Sequence, residues 1–190
     1  MRIELSGRRA LVCGASQGIG RATAMELASL GAHVTVVARD TVSLQQVVAT
    51  LDGSHGQHHD HLSVDMSFTE ELASVIAAAN TKHPFDIVVN NTGGPPPGPA
   101  HEADVLAFEA AFRLHLLAYQ TIVRAVIPGM KARGHGRIIN VISTSVKQPL
   151  HNLGVSNTIR GAVAQWSKTL ANELGPFGIT VNNVLPGATE

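Results

Sequence analysis

The chain has 190 residues, and 44% of them are hydrophobic, which is enough to bury a core and excludes intrinsic disorder. Lys plus Arg and Asp plus Glu number 14 each, and this neutral balance excludes a nucleic-acid binder that works by neutralising phosphates. The single cysteine, Cys13, cannot form an internal disulfide, the first residues lack the apolar core of a signal peptide, and no apolar run is long enough for a membrane span. We therefore expect a soluble cytoplasmic protein with no nucleic-acid or membrane partner.

Strand-like and helix-like segments alternate along the chain without a linker or a repeat. In chain order the pattern predicts strand 9–13, helix 23–30 ending at Gly31, strand 33–38, helix 43–51, strand 61–64, helix 69–80 capped by Ser67 or Thr69, strand 85–90, helix 103–133, strand 137–142, helix 156–174 and strand 179–185. The strands are short runs rich in Val and Ile, which is typical of parallel strands that are covered on both faces. Right-handed crossovers then predict one doubly wound α/β domain.

A glycine-rich turn joins the first strand to the first helix, with the sequence Gly14-Ala15-Ser16-Gln17-Gly18-Ile19-Gly20. Gly14 would permit a tight turn, Gly18 would let the backbone approach a pyrophosphate, and Gly20 would permit close packing of helix on strand. The helix N-terminus adds free N–H groups and the positive end of its dipole. The pattern predicts a dinucleotide site, and a tight turn without a ligand is the alternative.

The end of the second strand bears on the choice between NAD and NADP. An acidic residue there would bind the ribose hydroxyls of NAD, but the strand ends with Ala38, followed by Arg39 and Asp40. Because Arg39 can neutralise a 2′-phosphate, we expect NADP as the cofactor. NAD stays possible if Asp40 turns towards the ribose, and a solvated Arg39–Asp40 surface pair is the alternative without a ligand role.

Two further segments stand out by composition. The run Pro95-Pro96-Pro97-Gly98-Pro99 directly follows the fourth predicted strand, so we expect a stiff loop at the ligand edge of the sheet rather than a linker. Four histidines lie between residues 55 and 61, ahead of the third strand and away from that edge. Metal ligands must converge, so we expect a solvated loop and no metal site here.

Several motifs resemble those of the short-chain dehydrogenase/reductase family. Besides the glycine-rich turn they are Asp65-Met66, which resembles the family's adenine-contacting pair, Asn90-Asn91-Thr92-Gly93 after the fourth strand, the run from Gly136 to Ser143, and the run from Val181 to Pro186-Gly187, whose loop lies beside the nicotinamide in that family. The resemblance implies a Rossmann-like, three-layer αβα domain over residues 1–190, with six strands of an expected seven. It also implies that a substrate loop and the last strand lie beyond Glu190, and that the protein forms a homodimer or homotetramer.

The family's catalytic constellation is altered in this chain. The resemblance implies a Ser that polarises a carbonyl, a Tyr that acts as general acid or base, a Lys that lowers the Tyr pKa and holds the ribose, and an Asn that supports a proton relay. At the corresponding positions this chain has Ser143, Ser156, Arg160 and His115. An aliphatic hydroxyl is a far weaker acid than a phenol, and Arg stays protonated, so neither replaces the missing groups directly.

Other side chains are candidates for the lost functions. Arg160 can hold ribose hydroxyls or an acidic substrate group, and Ser156 can line the pocket. His115 is the best candidate proton donor, because His titrates near neutrality; a hydrogen bond that only holds the site wall is the alternative. Tyr119, one helical turn further on, is expected to serve helix packing. Lys147 and His151 are expected to be solvated loop residues.

Three functions follow from these residues. The first is an NADP-dependent oxidoreductase that transfers a hydride between the nicotinamide and a carbonyl or alcohol substrate, in the manner of a 3-oxoacyl reductase, with an atypical site. The second is a dinucleotide-binding protein or scaffold without redox activity. The third is a non-redox reaction such as elimination or isomerisation.

Overall fold

The computed structural model describes residues 4–187 and confirms the doubly wound α/β fold. One parallel sheet has the strand order β3-β2-β1-β4-β5-β6. Its strands are β1 (Arg9–Cys13), β2 (His33–Ala38), β3 (Asp60–Ser63), β4 (Ile87–Asn90), β5 (Gly136–Val141) and β6 (Ile179–Val184). The helices are α1 (Gly18–Ser29), α2 (Thr41–Thr50), α3 (Thr69–Lys82), α4 (Val105–Phe112), α5 (Ala118–Arg133) and α6 (Gly154–Leu174). The strand order reverses between β1 and β4, where open α/β sheets bind their ligands.

The two faces of the sheet carry separate cores because side chains alternate along each strand. On one face Leu11 and Val88 belong to a cluster that α3, α5 and α6 cover. On the other face Val12 and Val89 belong to a cluster that α1 and α2 cover. This arrangement confirms three layers and explains why the central strands are apolar without interruption.

The ends of two helices differ in how well the sequence predicts them. Helix α1 begins at Gly18 rather than at residue 23, because the glycine-rich turn passes directly into the helix. It ends at Ser29, one residue before the predicted end, and the predicted stop Gly31 follows with a φ of 93°, in the left-handed region. The predicted caps of α3 are wrong: Phe68 precedes the helix without a side-chain cap, Thr69 is its first residue, and the Ser67 hydroxyl donates to Asp65 Oδ1 instead.

The predicted long helix 103–133 begins at Val105 and continues through α4 and α5, joined by a π-helical turn over Arg113–Leu117. The Asp104 carboxylate caps its start by accepting from the N–H of Leu106. A π-helical turn widens the backbone locally, and such turns are frequent at functional sites. This one contains His115.

The histidine-rich loop is exposed at His55 and His58, as predicted, and two hydrogen bonds tie it to the sheet. The N–H of Val34 donates to His59 Nδ1, and the N–H of His58 donates to His33 Nδ1. Over residues 4–187 there is no group of three or more His, Cys, Asp or Glu side chains placed to hold a metal ion. Within the same range no helix is long and apolar enough to cross a membrane.

Candidate active site

The glycine-rich turn is interlocked with the loop after β4. Gly14 and Gly18 have φ values of 58° and 55°, and a Cβ on Gly20 would lie 2.2 Å from the Gly14 carbonyl oxygen. The Asn91 amide donates to the carbonyl oxygens of Cys13 and Gly14 at 3.3 and 3.1 Å. These contacts confirm the predicted tight turn and close packing.

The start of α1 is open to a ligand. Gln17 precedes the helix, and its side chain accepts no hydrogen bond from the first backbone N–H groups of α1. A Cβ on Gly18 would meet nothing within 4 Å. Of the other turn residues Ala15 is buried, Ser16 is half-buried, and Ile19 is exposed. The turn therefore fits a group that carries phosphates.

The side chains after β2 do not form the Arg39–Asp40 surface pair that was the alternative to a ligand role. The Arg39 side chain is 79% exposed and lies 3.8 Å from Asp65 Oδ2 instead. Asp40 instead caps α2, accepting from the N–H of Val42 and from the Ser43 hydroxyl. A turn of Asp40 towards a ribose would break this cap.

Asp65 stands at the edge of the same region, followed by the buried Met66. Burial raises the pKa of Asp65, but the hydrogen bonds from Ser67 and the charge of Arg39 outweigh it, so that the pKa lies below its usual value. The carboxylate is therefore ionised and held in place, ready to accept hydrogen bonds from a ligand.

His115 is fully buried beside Thr92. Its Nδ1 lies 2.5 Å from Thr92 Oγ1, and its Nε2 has no hydrogen-bond partner among the described residues. Burial, and then the positive charge of Arg160, lower the pKa of His115 to about 3. The expectation that this side chain titrates near neutrality is therefore wrong, because an imidazolium here would be desolvated next to another cation.

Tyr119 does more than fill space between helices. Its ring packs edge-on against His115 at 6.2 Å between centroids, and its hydroxyl lies 3.3 Å from Thr92 Oγ1. Burial raises the pKa of Tyr119, while the charge of Arg160 and the hydrogen bond to Thr92 act in the opposite direction. A hydrogen-bonded chain thus links the only tyrosine of the protein to His115. The helical spacing of residues 115 and 119 hinted at this contact, but the part of Thr92 was missed.

Arg160 is a buried cation without a carboxylate partner among residues 4–187. It is 7% exposed, and its guanidinium donates to the Val141 carbonyl oxygen at the end of β5, at 2.9 Å. Its charge reaches both His115 and Tyr119. A buried charge without a counterion is costly, so this guanidinium is suited to bind ligand oxygens.

The two serines occupy neighbouring elements. Ser143 follows β5, is half-buried, and accepts from the N–H of Ser145 at 3.1 Å, which leaves its own hydroxyl hydrogen free to donate. Ser156 is half-buried in the first turn of α6, one turn before Arg160. The N–H of Thr144 donates to the Pro186 carbonyl oxygen, which brings the loop after β6 to the same edge. Gly93 and Gly187 are exposed there, and so are Lys147 and His151.

Sequence reasoning missed a ladder of buried and half-buried amides behind these loops. The Asn90 amide donates to Asn140 Oδ1 at 2.8 Å, and the Asn140 amide donates to Ser167 Oγ at 2.9 Å and to Asn183 Oδ1 at 3.3 Å. The ladder joins β4, β5 and β6 at the ends that lead to the site. Three asparagines at the ends of adjacent predicted strands were the available signal.

Comparison with known proteins identifies the family. The family model described as short chain dehydrogenase matches residues 8–190. L-xylulose reductase from Mesocricetus auratus is 36% identical over 187 residues, which are 98% of this chain and 73% of that protein. The 2,3-dihydro-2,3-dihydroxybenzoate dehydrogenase of Bacillus subtilis is 31% identical, over 98% of this chain and 71% of that protein. The chain belongs to the short-chain dehydrogenase family.

Solved structures agree with this assignment. L-sorbose reductase from Gluconobacter frateurii, solved with NADPH and L-sorbose, has a TM-score of 0.92 and 33% identity, over 98% of this chain and 72% of that chain. A gluconate 5-dehydrogenase from Burkholderia cenocepacia, solved with NADP and tartrate, has a TM-score of 0.91 and 28% identity, over 100% of this chain and 74% of that chain.

Proposed function

We propose that this protein is an NADP-dependent oxidoreductase that interconverts a carbonyl compound and the corresponding alcohol. The observation that carries the proposal is the interlocked glycine-rich turn, in which Gly20 packs against Gly14. The Asn91 amide donates to the carbonyl oxygens of Cys13 and Gly14, and the start of α1 stays open. Relatives solved with NADPH or NADP support the same cofactor here.

The cofactor would be held at three places. The phosphates would lie on the backbone N–H groups at the start of α1, between Gly14 and Gly20. Arg39 would pair with the 2′-phosphate, and Asp65 with Met66 would contact the adenine. The nicotinamide ribose and ring would be surrounded by residues from two loops and α6, namely Asn91, Thr92, Gly93, Arg160, Pro186 and Gly187. When bound, the nicotinamide supplies or accepts the hydride.

Two side chains would act on the substrate oxygen, and a third would line the pocket. The Ser143 hydroxyl would donate a hydrogen bond that polarises the carbonyl. The Arg160 guanidinium would stabilise the negative charge that develops on that oxygen, and burial strengthens this effect because no water screens it. Ser156 would line the pocket without transferring a proton, because its hydroxyl is too weak an acid.

Proton transfer would use the chain from His115 through Thr92 to Tyr119. A pKa of about 3 keeps the imidazole neutral at physiological pH, so it carries no stored proton. A neutral imidazole can still release a proton from Nε2 while Nδ1 accepts one from the Thr92 hydroxyl. Thr92 would then be resupplied from Tyr119, where burial opposes the phenolate and the charge of Arg160 favours it. The phenolate would have to regain a proton from solvent before the next turnover, because each reduction consumes one proton.

The second candidate is a dinucleotide-binding protein without redox activity. Two observations favour it: a serine occupies position 156, and the only tyrosine is fully buried with its pKa raised by burial. Under this alternative the cofactor binds and no carbonyl compound is reduced.

A titration of NADPH fluorescence followed by a carbonyl panel tests the proposal. We expect binding in the micromolar range and measurable oxidation of NADPH with at least one carbonyl compound. Binding without turnover, together with activity created by Ser156→Tyr and Arg160→Lys, would establish the second candidate. The absence of NADPH binding would refute both. Product formation without added cofactor would instead indicate a non-redox reaction.

We further propose that the protein acts in the cytoplasm as a homodimer or homotetramer. Cys13 is a buried free thiol, which a reducing compartment keeps intact. Light scattering coupled to size-exclusion chromatography measures the oligomeric state, and a monomer at all concentrations would contradict the second part.

A further inference from the structure

A cavity of about 630 Å³ lies next to His115. Its walls are the loop from Gly94 to Pro99, one face of α4, and Val155 at the start of α6. The volume is in the range of small-molecule pockets, which measure roughly 300–1,000 Å³. The cavity adjoins the side chains that we place in the active site, so its chemistry bears on the substrate.

The lining is almost entirely apolar. Ala107 and Ala111 lie one turn apart on the face of α4 that lines the cavity, and Leu114 continues this face in the π-helical turn. Ala103, just ahead of the helix, also lines the cavity. Proline rings form the facing wall. Among the described lining residues only Glu102 and His115 are ionisable, and the Glu102 side chain is 69% exposed with His101 at 3.4 Å. Glu102 therefore belongs to the rim, and the other lining side chains offer few hydrogen-bond partners.

The proline wall is fixed before any ligand binds. The N–H of Gly98 donates to the Asn152 carbonyl oxygen at 2.8 Å, and the N–H of Gly154 donates to the Gly98 carbonyl oxygen at 2.9 Å. A Cβ on Gly154 would lie 2.3 Å from the backbone nitrogen of Ala100, so the two loops are in direct backbone contact. Proline also restricts φ, so the wall cannot readily rearrange to offer polar groups.

One buried side-chain nitrogen of the lining residues has no hydrogen-bond partner among the described residues. It is Nε2 of His115, which lines the cavity and is fully buried, whereas Nδ1 is engaged by Thr92. Buried polar atoms are normally satisfied, so an unpaired one beside a cavity indicates a missing hydrogen-bond partner.

We propose that the substrate is a ketone or secondary alcohol whose single oxygen reaches His115 and whose body is apolar, either alicyclic, aromatic or branched aliphatic. The proposal rests on the oxidoreductase function proposed above and adds the class of substrate. It separates this protein from relatives such as L-xylulose reductase and L-sorbose reductase, whose substrates carry several hydroxyl groups.

A sugar fits this lining poorly for a physical reason. Each hydroxyl group that leaves water needs a partner, and alanine and proline side chains provide none. An unpaired hydroxyl lowers kcat/KM by about tenfold. Two such groups therefore disfavour a polyol by about a hundredfold relative to an apolar ketone of similar size.

The test compares cyclohexyl methyl ketone and acetophenone with L-sorbose and L-xylulose as substrates with NADPH. The variant Ala107→Leu fills the cavity, and Ala78→Leu, on the exposed side of α3, is the matched control. We expect kcat/KM to be at least about a hundredfold higher for an apolar ketone than for either sugar. We expect Ala107→Leu to lower kcat/KM for the apolar ketone about tenfold or more and Ala78→Leu to leave it unchanged. Neither variant should alter the affinity for NADPH.

Saturation-transfer NMR of the same compounds with the NADP complex measures binding without turnover. Binding of the apolar ketones that Ala107→Leu removes, without turnover, would support the pocket while refuting the redox function. Preferred reduction of the sugars, or no effect of Ala107→Leu on the ketones, would overturn the substrate class while leaving the redox function intact. If neither apolar ketone binds to the NADP complex, the proposed substrate class is also overturned.

Discussion

Acid should destabilise this protein through His115, and the variant His115→Asn should remove that effect. The folded state holds the pKa of His115 at about 3, whereas its ordinary value is 6.5. Between these values the unfolded chain binds a proton at this position and the folded protein does not. Stability is therefore fully present above about pH 6.5 and is lost as the pH falls towards the folded pKa.

The magnitude follows from the width of that window. Between pH 6.5 and about pH 4.5, proton uptake by the unfolded chain at this residue lowers the free energy of unfolding by about 2 kcal/mol. Asparagine keeps an amide that can hydrogen-bond Thr92, but it does not titrate. The variant should thus lose about 2 kcal/mol less than the wild type over the same range.

Urea unfolding, followed by circular dichroism at both pH values, measures this difference. The pKa values of His33 and His135 are also lowered, chiefly by burial, but these residues are common to both proteins and cancel. The carboxyl groups with lowered pKa titrate below 3.8 and stay outside the window. Equal losses in wild type and variant would show that His115 is not held neutral and would refute the reasoning.

Three further predictions concern the cofactor turn, the cofactor choice and the relay. Gly20→Ala should lower the free energy of unfolding in urea by about 3 kcal/mol and abolish NADPH binding, because its Cβ would meet the Gly14 carbonyl oxygen. The control Gly161→Ala, at a helix position with open space around it, should not lower the free energy of unfolding. Arg39→Ala should raise the Kd for NADPH about tenfold and leave that for NADH unchanged, and equal effects would contradict contact with the 2′-phosphate. Tyr119→Phe should lower kcat about tenfold or more with KM unchanged, and an unchanged kcat would exclude it from the relay.

The alternation of strands and helices was predictable because burial on both faces of a sheet leaves a local mark in the sequence. The run His33–Ala38 is rich in β-branched residues, and the structure confirms this strand at both ends. The glycine-rich turn was predictable for the same reason, since its backbone demands are met within a few residues. Helix starts were less predictable: the Ser67 hydroxyl is taken by Asp65 and does not cap α3.

Local pattern therefore accounts for the fold and for the place where a dinucleotide would bind. The chemistry of the proposed active site depends on contacts between residues far apart in the chain. Thr92 and His115 are separated by 23 residues, and Arg160 comes from a third element. Residue type alone indicates a histidine that titrates near neutrality, but its pKa is set by how much water and which charges surround it. Packing buries this imidazole beside a guanidinium, and it is the packing that makes the side chain neutral and leaves its Nε2 without a hydrogen-bond partner among the described residues.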